Sequence, residues 1–362
     1  MQINRNAKHL QCIKCKEIYP IDDYYEGCVI CKEKGKPSNL TMIYTTYDER
    51  CALPFESYLS LGEGNTPLIS FHYDNHALLY MKNEGQNPTG SHKDRMSAQI
   101  VTRAVSEGFR GVAIASSGNA GISIAAYCAY AGIECTVIST KKLKSQVRKY
   151  LENYGAEIIL TETPNDRWKV LRDLTEEGFY PGSNYLSPPV GTIYFGVQGY
   201  KSIAYEIFEQ LKGKVPSKIF VPTSRGDLLW GVWQGFKELK KFHKLISLPQ
   251  IIAVEPFQRL DLVHKGEDYT RLFPGQTELT SIAGSTVTYQ AVAAIKESSG
   301  NVVVVSSKAA FIAQKYLANR GIFLEPSSAS VFSGFMRLKQ KGIIYENEII
   351  VLIGTSSGFI EI

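Results

Sequence analysis

A lysine at the start of a predicted helix offers the clearest chemistry in this sequence. Lys93 follows the segment Asn87-Pro-Thr-Gly-Ser-His, in which Asn-Pro and Thr-Gly are typical of turns, and helical periodicity begins directly after it. Because the positive end of a helix dipole disfavours a second positive charge, this position favours a neutral amine that can form a Schiff base. The N–H groups at the same helix end also suit an anion. Taken alone, the segment is equally consistent with a surface lysine that opens a helix.

A loop of small and hydroxyl residues at Ser116–Gly121 is a second candidate. It follows the predicted strand Val112–Ala115 and opens an alanine-rich helix. Small residues let the backbone approach a ligand closely, so the loop N–H groups can hold a carboxylate. The amide of Asn119 can hydrogen-bond a flat ring substituent. A tight turn with a helix cap is the alternative interpretation.

Two further loops follow predicted strands. The segment Thr223–Asp227 combines two hydroxyl side chains with a helix start, which is typical of a phosphate site, and Arg225 can add a bidentate contact. Near the C-terminus, Thr355 and Ser356 follow the predicted strand Ile349–Ile353. Ligands of open α/β sheets collect at such strand ends, so a hydroxyl there can meet a ring nitrogen. An exposed loop arginine and a terminal turn are the alternatives.

The first 45 residues are distinguished by four of the seven cysteines, arranged as Cys12-x-x-Cys15 and Cys28-x-x-Cys31. The two pairs are separated by 12 residues, enough for two knuckles joined by a hairpin. Zn²⁺ prefers four thiolates and can supply folding free energy that so short a segment cannot obtain from a core. We therefore expect a structural zinc ribbon, with metal-free cysteines as the alternative. Four thiolates leave no open position for catalysis.

Short apolar runs alternate with helical periodicity from about residue 77 onward, which predicts parallel sheets covered by helices. A chain of 362 residues is too long for one ordinary core, so two domains and a small appendage are expected. The predicted strands are Leu78–Met81, Val112–Ala115, Cys135–Ile138, Glu157–Leu160, Lys218–Pro222, Ile251–Val254, Val302–Val305 and Ile349–Ile353. The predicted helices are 94–107, 119–131, 141–154, 166–177, 197–212, 227–243, 307–319 and 328–340.

Composition excludes several classes of protein. Hydrophobic residues make up 44% and charged residues 21%, as in a globular protein. The net charge is +5 without a dense basic tract, so no nucleic-acid partner is expected. No run approaches the ~18–20 apolar residues of a membrane span. The polar N-terminus lacks the apolar stretch typical of a signal peptide, and paired cysteines favour metal in a reducing compartment, so we expect a cytoplasmic protein without a membrane partner.

Several segments together resemble the threonine synthases, a group within the fold-type II pyridoxal-phosphate (PLP) enzymes of the tryptophan synthase β-like superfamily. They occur in the family's order over nearly the whole chain, and CxxC pairs also occur in many of these enzymes. The matching segments are Gly62-Glu-Gly-Asn-Thr-Pro-Leu68, Asn87–Arg95, Ser116–Gly121, Gln198-Gly-Tyr-Lys201, Glu255-Pro256 and Glu325-Pro-Ser-Ser-Ala329.

The resemblance implies a role for each matching position. Lys93 would hold the cofactor as a Schiff base and shuttle protons, Asn119 would bind its 3′-oxygen, and Thr355 would face the pyridine nitrogen. A neutral hydroxyl at that nitrogen leaves it unprotonated, which suits β- and γ-eliminations and replacements. The cofactor phosphate would be held by Thr223, Ser224, Arg225, Gly226 and Asp227. The substrate phosphate or carboxylate would be held by Ser91, Ser116, Ser117, Gly118 and Asn119.

The resemblance also implies a fold: two α/β domains, each a twisted and mostly parallel sheet flanked by helices, with PLP in the cleft. We expect a zinc-ribbon-like segment at 1–45. The small inserted α/β domain is expected at 100–190. The large PLP domain would comprise 46–99 and 191–362.

The implied reaction is that of a homodimeric PLP-dependent lyase converting O-phosphohomoserine and water to threonine and phosphate. Three departures bear on it. His92 stands where the family commonly has Phe, and Ser224-Arg-Gly-Asp227 is bulkier and more charged than the family's phosphate loop. The stretch Ala283-Gly-Ser-Thr-Val-Thr-Tyr289 also lacks the Gly-Asn-Pro pattern expected there. The alternative is therefore β-replacement or β-elimination on O-phosphoserine, serine or threonine, as in a cysteate synthase, a dehydratase or a tailoring enzyme. A non-enzymatic relative is disfavoured because Lys93 is intact.

Overall fold

The computed structural model describes residues 1–46, 51–71, 73, 78–243 and 245–360. The strands are β1 (Ala7–Cys12), β2 (Ile18–Tyr19), β3 (Leu40–Tyr44), β4 (Leu68–Phe71), β5 (Leu78–Asn83), β6 (Gly111–Ala115), β7 (Glu134–Thr140), β8 (Glu157–Thr161), β9 (Phe179–Pro181), β10 (Lys218–Pro222), β11 (Gln250–Glu255), β12 (Asn301–Val304) and β13 (Ile349–Gly354). The helices are α1 (Val29–Glu33), α2 (Lys93–Ser106), α3 (Asn119–Ala131), α4 (Ser145–Asn153), α5 (Asp166–Glu176), α6 (Tyr194–Gly199), α7 (Lys201–Gln210), α8 (Asp227–His243), α9 (Leu260–His264), α10 (Tyr289–Glu297), α11 (Ser307–Ala318) and α12 (Pro326–Gln340).

The first compact unit comprises Met1–Thr46, Ala52–Glu63 and Lys93–Tyr200. Its main sheet has the order β8-β7-β6-β9, and every neighbouring pair is parallel. Because β6 is central and flanked by helices, four of its five residues are buried. The cysteine-rich segment adds a small antiparallel sheet of order β2-β1-β3.

The second unit comprises mainly Gly64–His92 and Lys201–Ile362. Its sheet has the order β12-β11-β10-β13-β5-β4, parallel except for the edge strand β4. Strands β10, β11 and β13 are almost entirely buried, as continuous apolar runs in a parallel sheet should be. The core beside them is formed with α11 and α12 and includes Phe220, Leu317, Phe335 and Leu352.

The predicted α/β architecture with mostly parallel sheets is confirmed, and all eight predicted strands are present. The predicted helix 197–212 is instead two helices, α6 and α7, which meet at Tyr200. A Cβ at Gly199 would lie 1.9 Å from the carbonyl oxygen of Arg95, so glycine permits α6 to pack closely on α2. Strands β1–β4 and β9 and helices α1, α9 and α10 were not predicted. Most of these are short, and β4 is a half-buried edge strand.

The expected domain boundaries differ from those of the two units. The expected small domain begins at residue 100, whereas the first unit resumes at Lys93 because α2 packs against α3 and α6. The first unit ends at Tyr200 and not at residue 190, because α6 packs against α2 of the same unit. Residues 1–46 also fall within this unit. Asn39 Nδ2 donates to the carbonyl oxygen of Thr192 over 2.7 Å, for example.

Candidate functional site

Lys93 is the first residue of α2, where the sequence predicted a helix start. Its half-buried side chain places Nζ 3.3 Å from the hydroxyl of Tyr200 and 5.7 Å from the centre of that ring. The Tyr200 hydroxyl also lies 3.4 Å from Met96 Sδ, one turn further along α2. Tyr200 is fully buried, so it gives the amine a fixed hydrogen-bonding partner.

A buried carboxylate next to the lysine joins α2 to α3. Asp94 Oδ1 lies 2.6 Å from Ser123 Oγ, which lies 2.7 Å from Ser97 Oγ. All three side chains are fully buried, where unpaired polar groups are costly. The network therefore fixes the helix that Lys93 opens relative to the helix that Asn119 opens.

The predicted loop Ser116–Asn119 lies at the carboxyl end of the central strand β6. Ser116 Oγ accepts hydrogen bonds from the N–H groups of Gly118 (3.3 Å) and Gly121 (3.0 Å). A Cβ at Gly118 would have no neighbour within 4 Å, so this part of the backbone is open to a ligand. The arrangement suits a carboxylate bound at the N-terminus of α3.

A cation that the sequence analysis did not identify lies beside this loop. Ser117 Oγ, which is exposed, accepts a hydrogen bond from Arg167 Nη1 over 3.0 Å and lies 2.9 Å from Ser139 Oγ. Arg167 lies in the first turn of α5, distant in sequence from the loop. This hydrogen bond could not be predicted, because no local sequence pattern links Arg167 to the loop around Ser117.

The predicted phosphate loop connects β10 to the 17-residue helix α8, which begins at Asp227. Gly226 has φ of +98°, and a Cβ there would lie 2.3 Å from the Cβ of Ala291. Both the dihedral angle and the close approach of α10 require glycine. The first N–H groups of an α-helix have no acceptor within the helix, so this end suits a phosphate.

The two charged side chains of this loop have different surroundings. Burial lowers the pKa of the Arg225 guanidinium from its ordinary value, and the charge of Asp227 partly opposes the shift. The carboxylate of Asp227 accepts a hydrogen bond from Gln290 Nε2 of α10, and the Arg225 carbonyl oxygen accepts one from Thr288 Oγ1 over 2.5 Å. A desolvated arginine favours an anionic partner, and the acidic side chain is held by α10.

A buried ion pair supports the same loop. The carbonyl oxygen of Thr223 accepts a hydrogen bond of 2.8 Å from Arg259 Nη2, and Glu255 lies 3.4 Å from the Arg259 guanidinium. Burial raises the pKa of Glu255, opposed by the Arg259 charge, and lowers the pKa of Arg259, opposed by Glu255. Glu255-Pro256 belongs to the segments that resemble the family, whereas a role for Arg259 was not predicted, although it follows Glu255 at the four-residue spacing of an ion pair on a helix.

Thr355 directly follows β13, and both its carbonyl oxygen and its hydroxyl form hydrogen bonds. Its carbonyl oxygen accepts a hydrogen bond from the backbone N–H of His92 (2.9 Å) and lies 3.1 Å from His92 Nδ1. Because a carbonyl only accepts, Nδ1 carries the proton. The Thr355 hydroxyl lies 2.6 Å from Ser328 Oγ. Ser91, predicted to bind substrate, is fully buried and forms a β-bridge with Ser356.

The predicted site residues are divided between the two units. Within the first unit lie Lys93, Ser116, Ser117, Gly118 and Asn119. Within the second unit lie Ser91, Thr355 and the loop Thr223–Asp227. Because β10 and β13 are parallel neighbours, the loop and Thr355 emerge at the same edge of the sheet.

The chemistry of these residues fits the cofactor implied by the resemblance. A phosphate suits the helix start and arginine of the loop 223–227, and a neutral hydroxyl suits a pyridine nitrogen. The amine of Lys93 is the group that forms a Schiff base with an aldehyde. The start of α8 at Asp227, directly after the turn at Gly226, supports the same assignment.

The four predicted metal ligands converge in the first unit. The Sγ atoms of Cys12, Cys15, Cys28 and Cys31 all lie within 4.8 Å of one another. Two of the separations are 3.7 Å (Cys12–Cys31) and 3.5 Å (Cys15–Cys28). Four thiolates around zinc with Zn–S bonds of about 2.3 Å would be about 3.8 Å apart, so the cluster fits a tetrahedral zinc site.

Comparison with protein families matched residues 59–356 to the family described as pyridoxal-phosphate dependent enzymes. The threonine synthase of Methanocaldococcus jannaschii is 32% identical over 380 residues, covering 96% of this chain and 92% of that protein. The threonine synthase of Bacillus sp. (strain ULM1) is 32% identical over 308 residues, covering 83% of this chain and 84% of that protein.

Two solved structures show the same fold at lower identity. O-ureido-L-serine synthase aligns with a TM-score of 0.68 at 20% identity, covering 85% of this chain and 94% of that one. The processed form of threonine deaminase isoform 2 from Solanum lycopersicum aligns with a TM-score of 0.70 at 22% identity, covering 81% and 79%. None of the described helices is long and apolar enough to span a bilayer.

Proposed function

Because this chain belongs to the family of pyridoxal-phosphate-dependent enzymes, we propose that it converts O-phosphohomoserine and water into threonine and phosphate. Membership makes it a PLP-dependent lyase of the β-replacement and elimination type. The observation that carries the finer proposal is the 32% identity to a threonine synthase across 96% of the chain. Lys93 at the start of α2 supports it.

Each residue of the first unit has a defined task in this proposal. Lys93 Nζ, held by Tyr200, binds the cofactor and then moves protons from Cα and Cβ of the substrate. The N-terminus of α3 orients the substrate carboxylate, and the amide of Asn119 binds the cofactor's 3′-oxygen. Ser117 and Arg167 add donors for an anionic group. Holding the substrate in one orientation decides which bond reacts.

The second unit grips the cofactor in this proposal. The loop 223–227 binds the phosphate through the start of α8 and Arg225, while the Thr355 hydroxyl meets the ring nitrogen. Ser91 contributes to the substrate site. The cofactor, when bound, supplies the electron sink that stabilises a carbanion at the substrate. A neutral hydroxyl at the ring moderates that sink, which suits elimination of a γ-phosphate and addition of water at the β-carbon.

We include a structural zinc at Cys12, Cys15, Cys28 and Cys31 in the proposal, supported by the mutual proximity of their sulfur atoms. Its chemistry is structural because four thiolates complete the tetrahedron. A homodimer located in the cytoplasm is also proposed, from the sequence and its resemblance alone.

The alternative function is β-replacement or β-elimination on O-phosphoserine, serine or threonine. Two features favour it: the charged loop at Arg225 and Asp227, and His92 next to the lysine. Both differ from the family's usual residues, one next to Lys93 and the other within the proposed phosphate loop.

The deciding experiment measures phosphate release from O-phosphohomoserine by the PLP-loaded protein, with the amino-acid product identified by chromatography. The proposal expects threonine and phosphate in equal amounts. Lys93→Ala should abolish both the product and the lysine-dependent absorbance of the cofactor. The surface variant Lys144→Ala should leave both intact. A protein with the lysine-dependent absorbance but no turnover of O-phosphohomoserine would contradict the proposal and direct the assay to O-phosphoserine, serine and threonine.

A further inference from the structure

A chain of hydrogen-bonding groups leads to the hydroxyl of Thr355. The backbone N–H of Ser356 donates to Ser328 Oγ over 2.8 Å, and Ser328 Oγ lies 2.6 Å from Thr355 Oγ1. Ser328 is fully buried in the first turn of α12, and Thr355 is 5% exposed. The two hydroxyls are therefore shielded from bulk water, and their proton positions are set by these neighbours.

The direction of this chain follows from counting protons. A backbone N–H can only donate, so the Ser356 amide occupies one acceptor position of Ser328. Among the described residues, each of the two hydroxyls has the other as the acceptor for its proton, so the direction depends on a further acceptor for Thr355. With PLP bound as proposed, the ring nitrogen is that acceptor, and donation from Ser328 to Thr355 then satisfies both buried hydroxyls, whereas the opposite direction leaves the Ser328 proton without an acceptor. The proton of Thr355 is then directed away from Ser328.

We propose that Ser328 is a positioning residue that makes the Thr355 hydroxyl a hydrogen-bond donor to an unprotonated ring nitrogen of the cofactor. The inference rests on the proposed function only in taking PLP as the ligand. A neutral pyridine nitrogen accepts such a bond, whereas a protonated one would place two protons against each other. Ser328 therefore favours the neutral ring without touching it.

His92 fixes the backbone on which this depends. Its N–H and its Nδ1–H both bind the carbonyl oxygen of Thr355, at 2.9 Å and 3.1 Å. Two donors on one oxygen restrict the Thr355 peptide, so the backbone holds the Thr355 hydroxyl in place beside Ser328. This gives a structural role to a residue that departs from the family's usual Phe.

The test compares PLP with its 1-deaza analogue, in which the ring nitrogen is replaced by C–H. Dissociation constants are measured by absorbance titration of the full-length protein after removal of its cofactor. The wild type should prefer PLP by about fivefold to tenfold, the size of one hydrogen bond. Thr355→Val should reduce the preference to near unity. Ser328→Ala should reduce it by about half or more, because the Thr355 hydroxyl then lacks the donor that orients and polarises it, and combining the two changes should reduce it no further than Thr355→Val alone.

Ser330→Ala is the matched control. Ser330 lies on the same helix, is equally buried, and donates to the carbonyl oxygen of Ser327 over 2.6 Å. It should retain the wild-type preference. If Ser328→Ala does not fold, Ser328→Cys provides the same test, because a thiol of similar size is a poor donor.

The outcomes separate this inference from the proposed function. A wild-type preference retained in the Ser328 variants overturns the positioning role, even if threonine is produced. A preference reduced in those variants supports it, even if O-phosphohomoserine is not the substrate. No binding of PLP by the wild type overturns both.

Discussion

At the scale of single residues, the phosphate loop depends on one glycine. Gly226 combines φ of +98° with a contact that leaves no room for a Cβ. We predict that Gly226→Ala weakens PLP binding by about tenfold or more, through backbone strain and displacement of α10. Absorbance titration measures this. Gly266→Ala is the control, since Gly266 has φ of +115° but nothing within 4 Å of an added Cβ. Equal effects of the two changes on PLP binding would contradict the prediction.

Arg225 gives a second prediction at this scale. Burial lowers the pKa of its guanidinium, so a bound phosphate would compensate for the lost hydration. We expect Arg225→Gln to reduce the preference for PLP over pyridoxal, which lacks the phosphate, by about tenfold. Arg271→Gln, at an exposed arginine that pairs with Glu267, should leave the preference unchanged. An unchanged preference in Arg225→Gln would place the phosphate elsewhere.

At the scale of elements, the small sheet β2-β1-β3 and helix α1 carry the four clustered cysteines. We predict about one zinc per chain in the purified protein, measured by plasma mass spectrometry. Cys12→Ser should remove it and increase proteolysis within the first 46 residues, because metal binding and folding are coupled. Cys51→Ser, outside the cluster, should retain zinc. Metal-free wild-type protein that resists proteolysis equally well would refute a structural zinc.

The sequence predicted the elements well where apolar patterning decides them. Helices α3 and α8 begin and end at the predicted residues. The turn residues before Asn119 mark the start of α3, and the basic residues of its last turn mark the end of α8. The division between α6 and α7 was not predicted because it reflects a tertiary contact, the approach of Gly199 to the Arg95 carbonyl. Helix propensity alone carries no information about such a tertiary contact.

At the scale of the whole molecule, the second unit contains ion pairs in its interior. Lys201 Nζ lies 2.9 Å from Glu238 Oε1, both side chains are almost fully buried, and burial raises the pKa of Glu238. We predict that Glu238→Ala lowers the free energy of unfolding by about 3–5 kcal/mol, because it leaves a buried ammonium without its main counterion. Urea denaturation measures the loss.

A paired replacement controls this prediction. Lys201→Met combined with Glu238→Met removes both charges at similar volume, so it should recover at least half of the lost stability. If the free energy of unfolding lost in the double variant equals the sum of the losses in the two single variants, the two side chains do not stabilise each other.

The site was predictable only in part at this scale. Lys93, the Ser116 loop and the cysteine pairs follow from local residue types, which a sequence displays directly. Tyr200, Arg259 and Ser328 act through contacts between segments far apart in the chain, so their roles emerge only from the fold. Asp227 is one of the charged residues by which the loop departs from the family, and its partner Gln290 lies on α10, a helix that was not predicted.

The pairing of β10 with β13 has a consequence for ligand length. Phe220 is in register with Leu352, so Thr223 and Thr355 each follow three residues later on neighbouring strands. Backbone hydrogen bonds hold such strands about 4.8 Å apart, a spacing that side chains cannot adjust. In the proposed function, the loop after β10 binds the cofactor phosphate and Thr355 meets the ring nitrogen, so strand pairing limits the separation at which a ligand can carry these two groups. A PLP analogue whose phosphate tether is longer by one methylene would therefore fit poorly, because the main chain cannot adjust to it.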